Sequence, residues 1–441
     1  AMLDPVNSYL DMTILNQSGT TLGLDCGGGH NFFDEVRLEQ GGRVITRLQE
    51  YNRLHAAILA PSQDLTEGRI SQSVTEFTTG LNSGAGAAAG FIAPVGPGAN
   101  GGAYSDNVHN VVNQVANGES FTLCFRPTCG LLTQDKLIPL PLISQAAPLE
   151  LVMRLTTSAT VGVWGAAPGA NSYLVRRCAF VGSLVEVGGD VLQQIRQIQA
   201  MSGGQVIISG TDVEHTQGDL PANSAGEIPI RCPIRKKSVK SLLFNIQSND
   251  YANGAAGLAA EDIYNLSFAG SANMDSYQLK VGSVVYPPQA VNCWGNVAAA
   301  QADALRAECV MELAKSFGSL GFTTPTGYLT TMNYGTSGTA AVLAGVVGPL
   351  ADGDNGDGAG ATVVSGSTDV ISVCPFGLDL ESFQHTAIES GVDSETMALE
   401  TNLILNINAV TSGIEAKNVH MFLLYDQHYM FNADGMITFS N

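Results

Sequence analysis

An acidic run at residues 352–358 has the composition of a calcium-binding loop, because Asp352, Asp354 and Asp357 alternate with glycine and asparagine. Calcium takes carboxylate and carbonyl oxygens as ligands, and an EF-hand places them at the first, third and fifth positions of its loop, with glycine at the sixth. Here Gly356 is fifth and Asp357 is sixth. The run is therefore either an irregular calcium site at Asp352, Asp354 and Asp357 or a solvated acidic turn.

Histidines and carboxylates near the C-terminus form a second candidate constellation. His420, Asp426 and His428 are separated by even numbers of residues, so they would share one face of an extended strand. We predict a turn directly after Asp426, which would break that alternation. Asp379 and Glu381 are two residues apart and have the chemistry of an acid–base pair, but no other motif accompanies them. The sequence therefore predicts no catalytic residues, and we expect a protein that is not an enzyme.

The sequence contains little evidence for a nucleotide-binding loop or a zinc site. Residues 96–101 formally match a glycine-rich phosphate loop, but such a loop must follow a strand and open a helix, and Pro97 does not suit a helix start. Zinc sites need ligands at short, repeated spacings, and the close pair Cys124 and Cys129 has no matching histidine pair. We expect no cofactor, no metal centre other than the acidic run, and free, buried thiols at the eight cysteines.

The composition is that of a large globular protein with few charges. Of the 441 residues, 45% are hydrophobic and only 14% are charged, against about 25% in a typical soluble domain. Much of the surface must therefore be small or neutral, which suits a protein that is covered by copies of itself. The formal net charge of −20 disfavours nucleic-acid binding by the whole surface, since binding to phosphates requires clustered lysine and arginine.

One basic cluster interrupts this acidic sequence near the middle of the chain. Its members are Arg231, Arg235, Lys236, Lys237 and Lys240. They form either a solvated linker or a contact to a genome, a membrane or a minor protein. The first residues contain no basic or apolar segment, and no apolar run reaches the roughly 18 residues of a membrane span, so we expect a soluble chain.

Short stretches of alternating apolar and polar residues, separated by turn residues, dominate the sequence. They predict strands at residues 10–15, 33–39, 121–125, 149–156, 173–187 and 205–209. Helical spacing is confined to residues 44–59, 190–201 and 296–317, with Asp190 as a predicted N-cap. Many short strands and few helices predict an all-β fold made of sandwiches or barrels.

The two halves of the chain repeat one order of elements, which indicates two similar domains. Each half has an edge-like strand, a helix, a long excursion rich in glycine and alanine, and then closing strands. The main excursions are residues 80–118, 249–272 and 335–368. We therefore predict tandem β-barrels at residues 1–235 and 236–441, with the excursions as surface loops.

Segments that match a known pattern run along nearly the whole chain. They are residues 37–59, 137–151, 238–244, 277–287, 312–318, 376–380, 390–394 and a final hairpin, 422–439, that turns at residues 432–435. In this order they resemble the double-jelly-roll major capsid proteins of tailless icosahedral viruses, of the polinton-like virus, virophage and related phage type. The basic or amphipathic N-terminal segment that contacts an internal membrane in some relatives has no counterpart here.

The resemblance implies two tandem jelly-roll β-barrels and pseudo-hexagonal homotrimers that tile an icosahedral virion shell. Expected partners are other copies of the chain, neighbouring trimers, and minor capsid or penton proteins; strong nucleic-acid binding is not expected, and membrane contact stays open. The expected location is the virion, after a soluble stage in the host cell. Two alternatives are a β-rich virus attachment or carbohydrate-binding protein, although Trp164 and Trp294 are the only tryptophans, and a β-barrel hydrolase.

Overall fold

The chain is described here by a computed structural model. The described residues are 1–19, 22–24, 27–59, 75–76, 115–156, 163–164, 173–222, 224–248, 274–293, 299–317, 375–382, 390–395, 400–407 and 416–440. The predicted excursions lie outside them, apart from residues 115–118, and so do Asp352, Asp354 and Asp357. Strands dominate the described part and every strand pair in it is antiparallel, which confirms the predicted all-β class.

The first strand group comprises the strands that precede residue 186. They are β1 (Met2–Asn16), β2 (Leu22–Gly23), β3 (Phe33–Gln40), β4 (Arg43–Gln49), β5 (Ser120–Phe125), β6 (Leu149–Leu155), β7 (Val163–Trp164) and β8 (Tyr173–Val185). They form one sheet in the order β5-β1-β8, a second in the order β4-β3-β6, and the short pair β2-β7.

The second strand group comprises the strands that follow residue 204. They are β9 (Gln205–Leu220), β10 (Gly226–Arg231), β11 (Val239–Ser248), β12 (Met274–Val281), β13 (Val284–Asn292), β14 (Phe376–Asp379), β15 (Thr401–Ile407), β16 (Lys417–Asn432) and β17 (Ile437–Ser440). One sheet has the order β10-β15-β12-β13, and the other has the order β14-β11-β16-β17, with β9 also paired to β16.

Hydrogen bonding between strands stays within each group in the described part of the chain. β9 and β10 precede residue 235, yet they pair with β16 and β15. The domain boundary at residue 235 itself stays a prediction. None of the described helices is both long and apolar enough to cross a membrane.

The helices are short and join the strands. They are α1 (Tyr51–Arg53), which continues as a π-helix (Leu54–Leu59), α2 (Gly189–Met201) and α3 (Ala299–Ser316). Within the described ranges, three 3₁₀ turns lie at Gly28–Phe32, Gly130–Thr133 and Leu140–Leu142. The predicted helix at residues 44–59 is wrong over its first part, because β4 extends to Gln49. The N-cap of α2 is Gly188 rather than Asp190, which lies in the first turn.

Alternating burial explains why these segments are strands. In β3, Val36 and Leu38 are buried while Arg37 between them is partly exposed. In β16 every odd residue from Lys417 to Phe431 is buried, so the predicted turn after Asp426 is wrong. Extended strands place alternate side chains on opposite faces. Residues 419–423 of β16 are all buried, so both faces of that strand are covered there.

An aromatic cluster fills the core of the second strand group. Phe244 lies on β11, Tyr277 on β12 and Phe376 on β14, with ring centroids 5.0 to 5.6 Å apart. Burying one such side chain contributes about 1.5–3 kcal/mol. The cluster therefore fixes the two sheets of this group against each other.

No disulfide joins the cysteines in the described part of the chain. They are Cys124, Cys129, Cys178, Cys232, Cys293 and Cys309. The expectation of free thiols is confirmed for these six, but burial is not uniform, because Cys178 is exposed on β8 and Cys124 is half-buried.

Candidate functional site: the interface between the strand groups

A buried arginine connects the two strand groups. Arg53 lies at the end of α1, and its Nε donates a hydrogen bond to Glu50 Oε2 at 2.7 Å. Its Nη1 reaches Gln247 Oε1 on β11 at 2.5 Å and His420 Nε2 on β16 at 3.0 Å. His420 Nδ1 in turn lies 3.2 Å from Nε2 of His215 on β9. This Arg53 network joins a helix of the first strand group to three strands of the second.

Burial keeps the two histidines of the network neutral. Burial and then the positive charge of Arg53 lower the pKa of His215 to about 4. The same causes, with a smaller contribution from His215, hold the pKa of His420 well below its usual value. A buried cation beside two neutral rings is tolerable because Glu50 supplies the opposite charge.

A second histidine pair lies on the first-group side of the same interface. The rings of His30 and His55 stack with centroids 3.6 Å apart, and His30 Nδ1 lies 2.6 Å from Tyr51 Oη. Burial lowers the pKa of His55 to about 3 and that of His30 well below its usual value. His30 Nε2 lies 3.7 Å from Glu76 Oε2, so one carboxylate also approaches this pair.

Gln40 at the end of β3 ties the first strand group to the final hairpin. Its Nε2 donates to Gly435 O at 2.8 Å and to Ala147 O at 3.0 Å, and its Oε1 accepts from the Ile437 amide at 2.6 Å. Gly435 has φ of 79°, and a Cβ there would lie 2.6 Å from the Ser144 nitrogen. The turn therefore needs glycine in order to approach the first strand group this closely.

Polar contacts continue the interface along β9. Gln134 Nε2 donates to Thr211 O at 2.9 Å, and Lys136 Nζ donates to Ser209 O at 2.9 Å. Asp212 is buried, and burial raises the pKa of its carboxyl; Oδ2 accepts a hydrogen bond from Tyr425 Oη at 3.2 Å. The interface is thus rich in hydrogen bonds, which fix one relative orientation of the two groups.

Apolar side chains are exposed on β8 and on α2, which follows it. β8 exposes Leu174, Phe180 and Leu184, the last at 58%, and α2 exposes Ile198 and Met201, the last at 87%. We call these residues the β8–α2 surface. Contiguous exposed apolar patches mark interaction sites on soluble proteins, and β8 and α2 each supply exposed apolar side chains for such a site.

The comparisons with known proteins agree with this architecture at the level of structure. No family model matches the sequence, and no curated protein does. The chain is similar to PBCV-1 VP54, as fitted into a cryo-EM reconstruction of the virophage Sputnik, with a TM-score of 0.55 and 11% identity over 100% of this chain and 90% of that chain. The fold is a double jelly roll.

Two further solved structures resemble the double jelly roll of this chain less closely. The PBCV-1 virus capsid matches with a TM-score of 0.47 and 10% identity, over 100% of this chain and 90% of that chain. The mavirus major capsid protein matches with a TM-score of 0.39 and 9% identity, over 98% of this chain and 83% of that chain.

The double jelly roll separates the residues that were candidates for shared chemistry. His420 and His428 lie on one face of β16 but eight residues apart, which is about 26 Å along a strand. His420 joins the Arg53 network, His428 Nδ1 contacts Ser209 Oγ at 2.9 Å, and Asp426 accepts a hydrogen bond from Ser238. Among the described residues, no group of three potential ligands could hold a metal ion.

The remaining candidates take part in ion pairs or lie on the surface. Glu381 pairs with Lys240 at 3.3 Å, while burial raises the pKa of its carboxyl, and its amide donates to Asp379 Oδ1. Lys240 also lies 3.5 Å from Asp426, and Lys236 pairs with Glu214 at 3.0 Å. The other members of the basic cluster, which are exposed, are Arg231, Arg235 and Lys237.

Sequence reasoning missed the residues that build the interface. Gln40, Arg53 and His215 carry no motif, and their partners are up to 397 residues away in the chain. The available signal was indirect: the helical spacing of residues 44–59 places the polar residues Asn52 and His55 among Leu48, Tyr51 and Ile58. Polar side chains on a buried face need hydrogen-bond partners, so these residues are a sign that another part of the chain packs against the helix.

Proposed function

We propose that this protein is the major capsid protein of an icosahedral virus and acts as a structural building block rather than as a catalyst. The observation that carries the proposal is the double jelly roll, which spans the chain from end to end. A fold alone does not specify a function. The low charge content and the exposed β8–α2 surface add support, because both suit a chain that is covered by its own copies.

The proposed assembly unit is a pseudo-hexagonal homotrimer. Three chains with two barrels each present six similar barrels, and a six-sided unit tiles a surface. We propose residues 1–235 and 236–441 as the two barrels, with β9 and β10 of the first range completing sheets of the second. We propose the β8–α2 surface as part of the contact between subunits. A standard contact buries about 1,600 Å², and the exposed side chains of Phe180, Leu184 and Ile198 supply apolar area of the kind that such contacts need.

Neighbouring trimers and minor capsid or penton proteins are the further proposed partners. The proposed location is the virion, after a soluble stage in the host cell. The net charge of −20 supports a shell that does not bind the genome strongly, because counterion release requires clustered positive charge.

Light scattering and electron microscopy of the purified chain test the proposal. We expect a particle of three times the 46.0 kDa of one chain that persists on dilution, and hexagonal outlines in projection. A stable monomer that binds glycans would contradict it and favour an attachment protein.

A further inference from the structure

The direction of the hydrogen bonds in the Arg53 network assigns its protons. A guanidinium only donates, so His420 Nε2, 3.0 Å from Arg53 Nη1, must accept and carries no proton. The proton of the His420 ring is therefore on Nδ1, which donates to His215 Nε2 at 3.2 Å. The network is complete only while both rings are neutral, and a single added proton on His420 Nε2 breaks its central hydrogen bond.

We propose that the interface between the strand groups is an acid-sensitive contact, in which protonation of His420 and His215 displaces Arg53 and separates α1 from β16. A protonated His420 places a second positive charge beside the guanidinium in a buried site. Like charges at this distance repel strongly where water is excluded. Arg53 keeps Glu50, the N-cap residue of α1, as its partner, so the contact to the second strand group is the one that opens.

The surroundings of His420 offer little to stabilise its protonated form. The charged and titratable groups that face it among the described residues are Arg53 from α1, with Glu50 behind it, and His215 from β9. From β11 come the neutral amides of Gln247 and of Asn245, which is opposite His420 in the strand register.

Further residues near this interface carry or acquire charge. Lys417 is buried three positions earlier on β16, and it adds positive charge. In the π-helix that continues α1, His55 stacks on His30, and Glu76 Oε2 lies 3.7 Å from His30 Nε2. Acid therefore adds positive charge at both histidine pairs.

The sign of the effect follows from the neutral folded state. An unfolded histidine takes up a proton near pH 6.5, whereas the pKa of His215 is about 4 in the folded chain. The interface is therefore at full strength above about pH 6.5 and weakens as the pH falls from there towards 4. Each histidine that is neutral in the closed interface and protonated in the open one shifts the equilibrium towards the open state by up to about tenfold for each unit that the pH falls. The inference concerns the single chain and does not depend on the capsid role.

Hydrogen–deuterium exchange of the full chain, read by mass spectrometry and corrected for intrinsic rates, tests the proposal. We expect protection in peptides covering residues 50–59 and 417–422 to fall at least about tenfold between pH 6.5 and pH 5, ahead of protection in β12 and β15. In His420→Gln the amide oxygen still accepts a hydrogen bond from Arg53 but does not take up a proton. The loss of protection on acidification should therefore be smaller than in the wild type, by about tenfold for each pH unit.

The matched control is His428→Gln, on the same face of the same strand. It should behave like the wild type, because His428 contacts Ser209 and lies far from Arg53. A fall in protection that is identical in the wild type and in His420→Gln would overturn the proposal. If that variant does not fold, exchange at the imidazole carbon of the wild type gives the titration of His420 directly, and titration near pH 6.5 without loss of protection would also overturn it.

Discussion

Replacing Gln40 with methionine removes the link between β3 and the final hairpin while preserving side-chain volume. Gln40 is 1% exposed, and its amide makes three hydrogen bonds with main-chain groups. The amide of Ile437, itself buried, loses its acceptor. The carbonyl of Gly435 retains one donor, the Ser144 amide at 2.9 Å.

The magnitude follows from these three losses. An orphaned buried amide costs about 1–3 kcal/mol, and each of the two carbonyl contacts contributes about 0.5–1.5 kcal/mol. Burial of the apolar methionine side chain offsets part of this loss. We therefore expect Gln40→Met to lower the free energy of unfolding by about 2–4 kcal/mol.

Urea unfolding at one fixed protein concentration measures this change, because an oligomer's stability depends on concentration. Exchange at the Ile437 amide should accelerate in parallel. Gln194→Met on the exposed side of α2 is the control and should change stability by less than about 0.5 kcal/mol. Equal stabilities for Gln40→Met and the wild type, with unchanged exchange at Ile437, would refute the role given to Gln40.

Three further substitutions test other parts of the architecture. Gly130→Ala should lower the free energy of unfolding in urea by about 1–3 kcal/mol, because φ is 38° and the new Cβ would lie 2.5 Å from a tyrosine hydroxyl. The control Gly188→Ala, where the new Cβ meets open space, should leave the stability unchanged. Equal effects of the two substitutions would refute the argument. Phe180→Asp should convert trimers to folded monomers in light scattering while Val284→Asp, on exposed β13, should not; persistent trimers would exclude Phe180 from the contact. Phe376→Ala should cost about 3–5 kcal/mol, and a loss below about 1 kcal/mol would mean that its aromatic cluster is not a packed core.

Local patterns predicted the fold class and several strands correctly. The alternation of residues 33–39 and 121–125 gave β3 and β5, and the polar residues 432–435 gave the turn of the final hairpin. These features depend on neighbours in sequence: side chains alternate along a strand, and turns need particular backbone angles.

Distant pairing explains where local patterns failed. Ile45 and Leu48 are three residues apart, which suits a helix, yet β4 pairs with β3 and buries both as a strand. Asp426 and Gln427 have turn-forming composition, but pairing with β9 keeps them extended. Arg53 and His420 are 367 residues apart in the chain. Local periodicity does not predict a contact between residues so far apart in sequence.

The length of β16 has a mechanical consequence. Its 16 residues pair with β9 without a register shift from one end to the other, while β11 covers its first part and β17 its last. A slip by one residue would turn Tyr429 and Phe431 out of the core and break every bond of the ladder together. β16 therefore resists sliding against β9 along its whole length, because a shift at one end requires the same shift at the other.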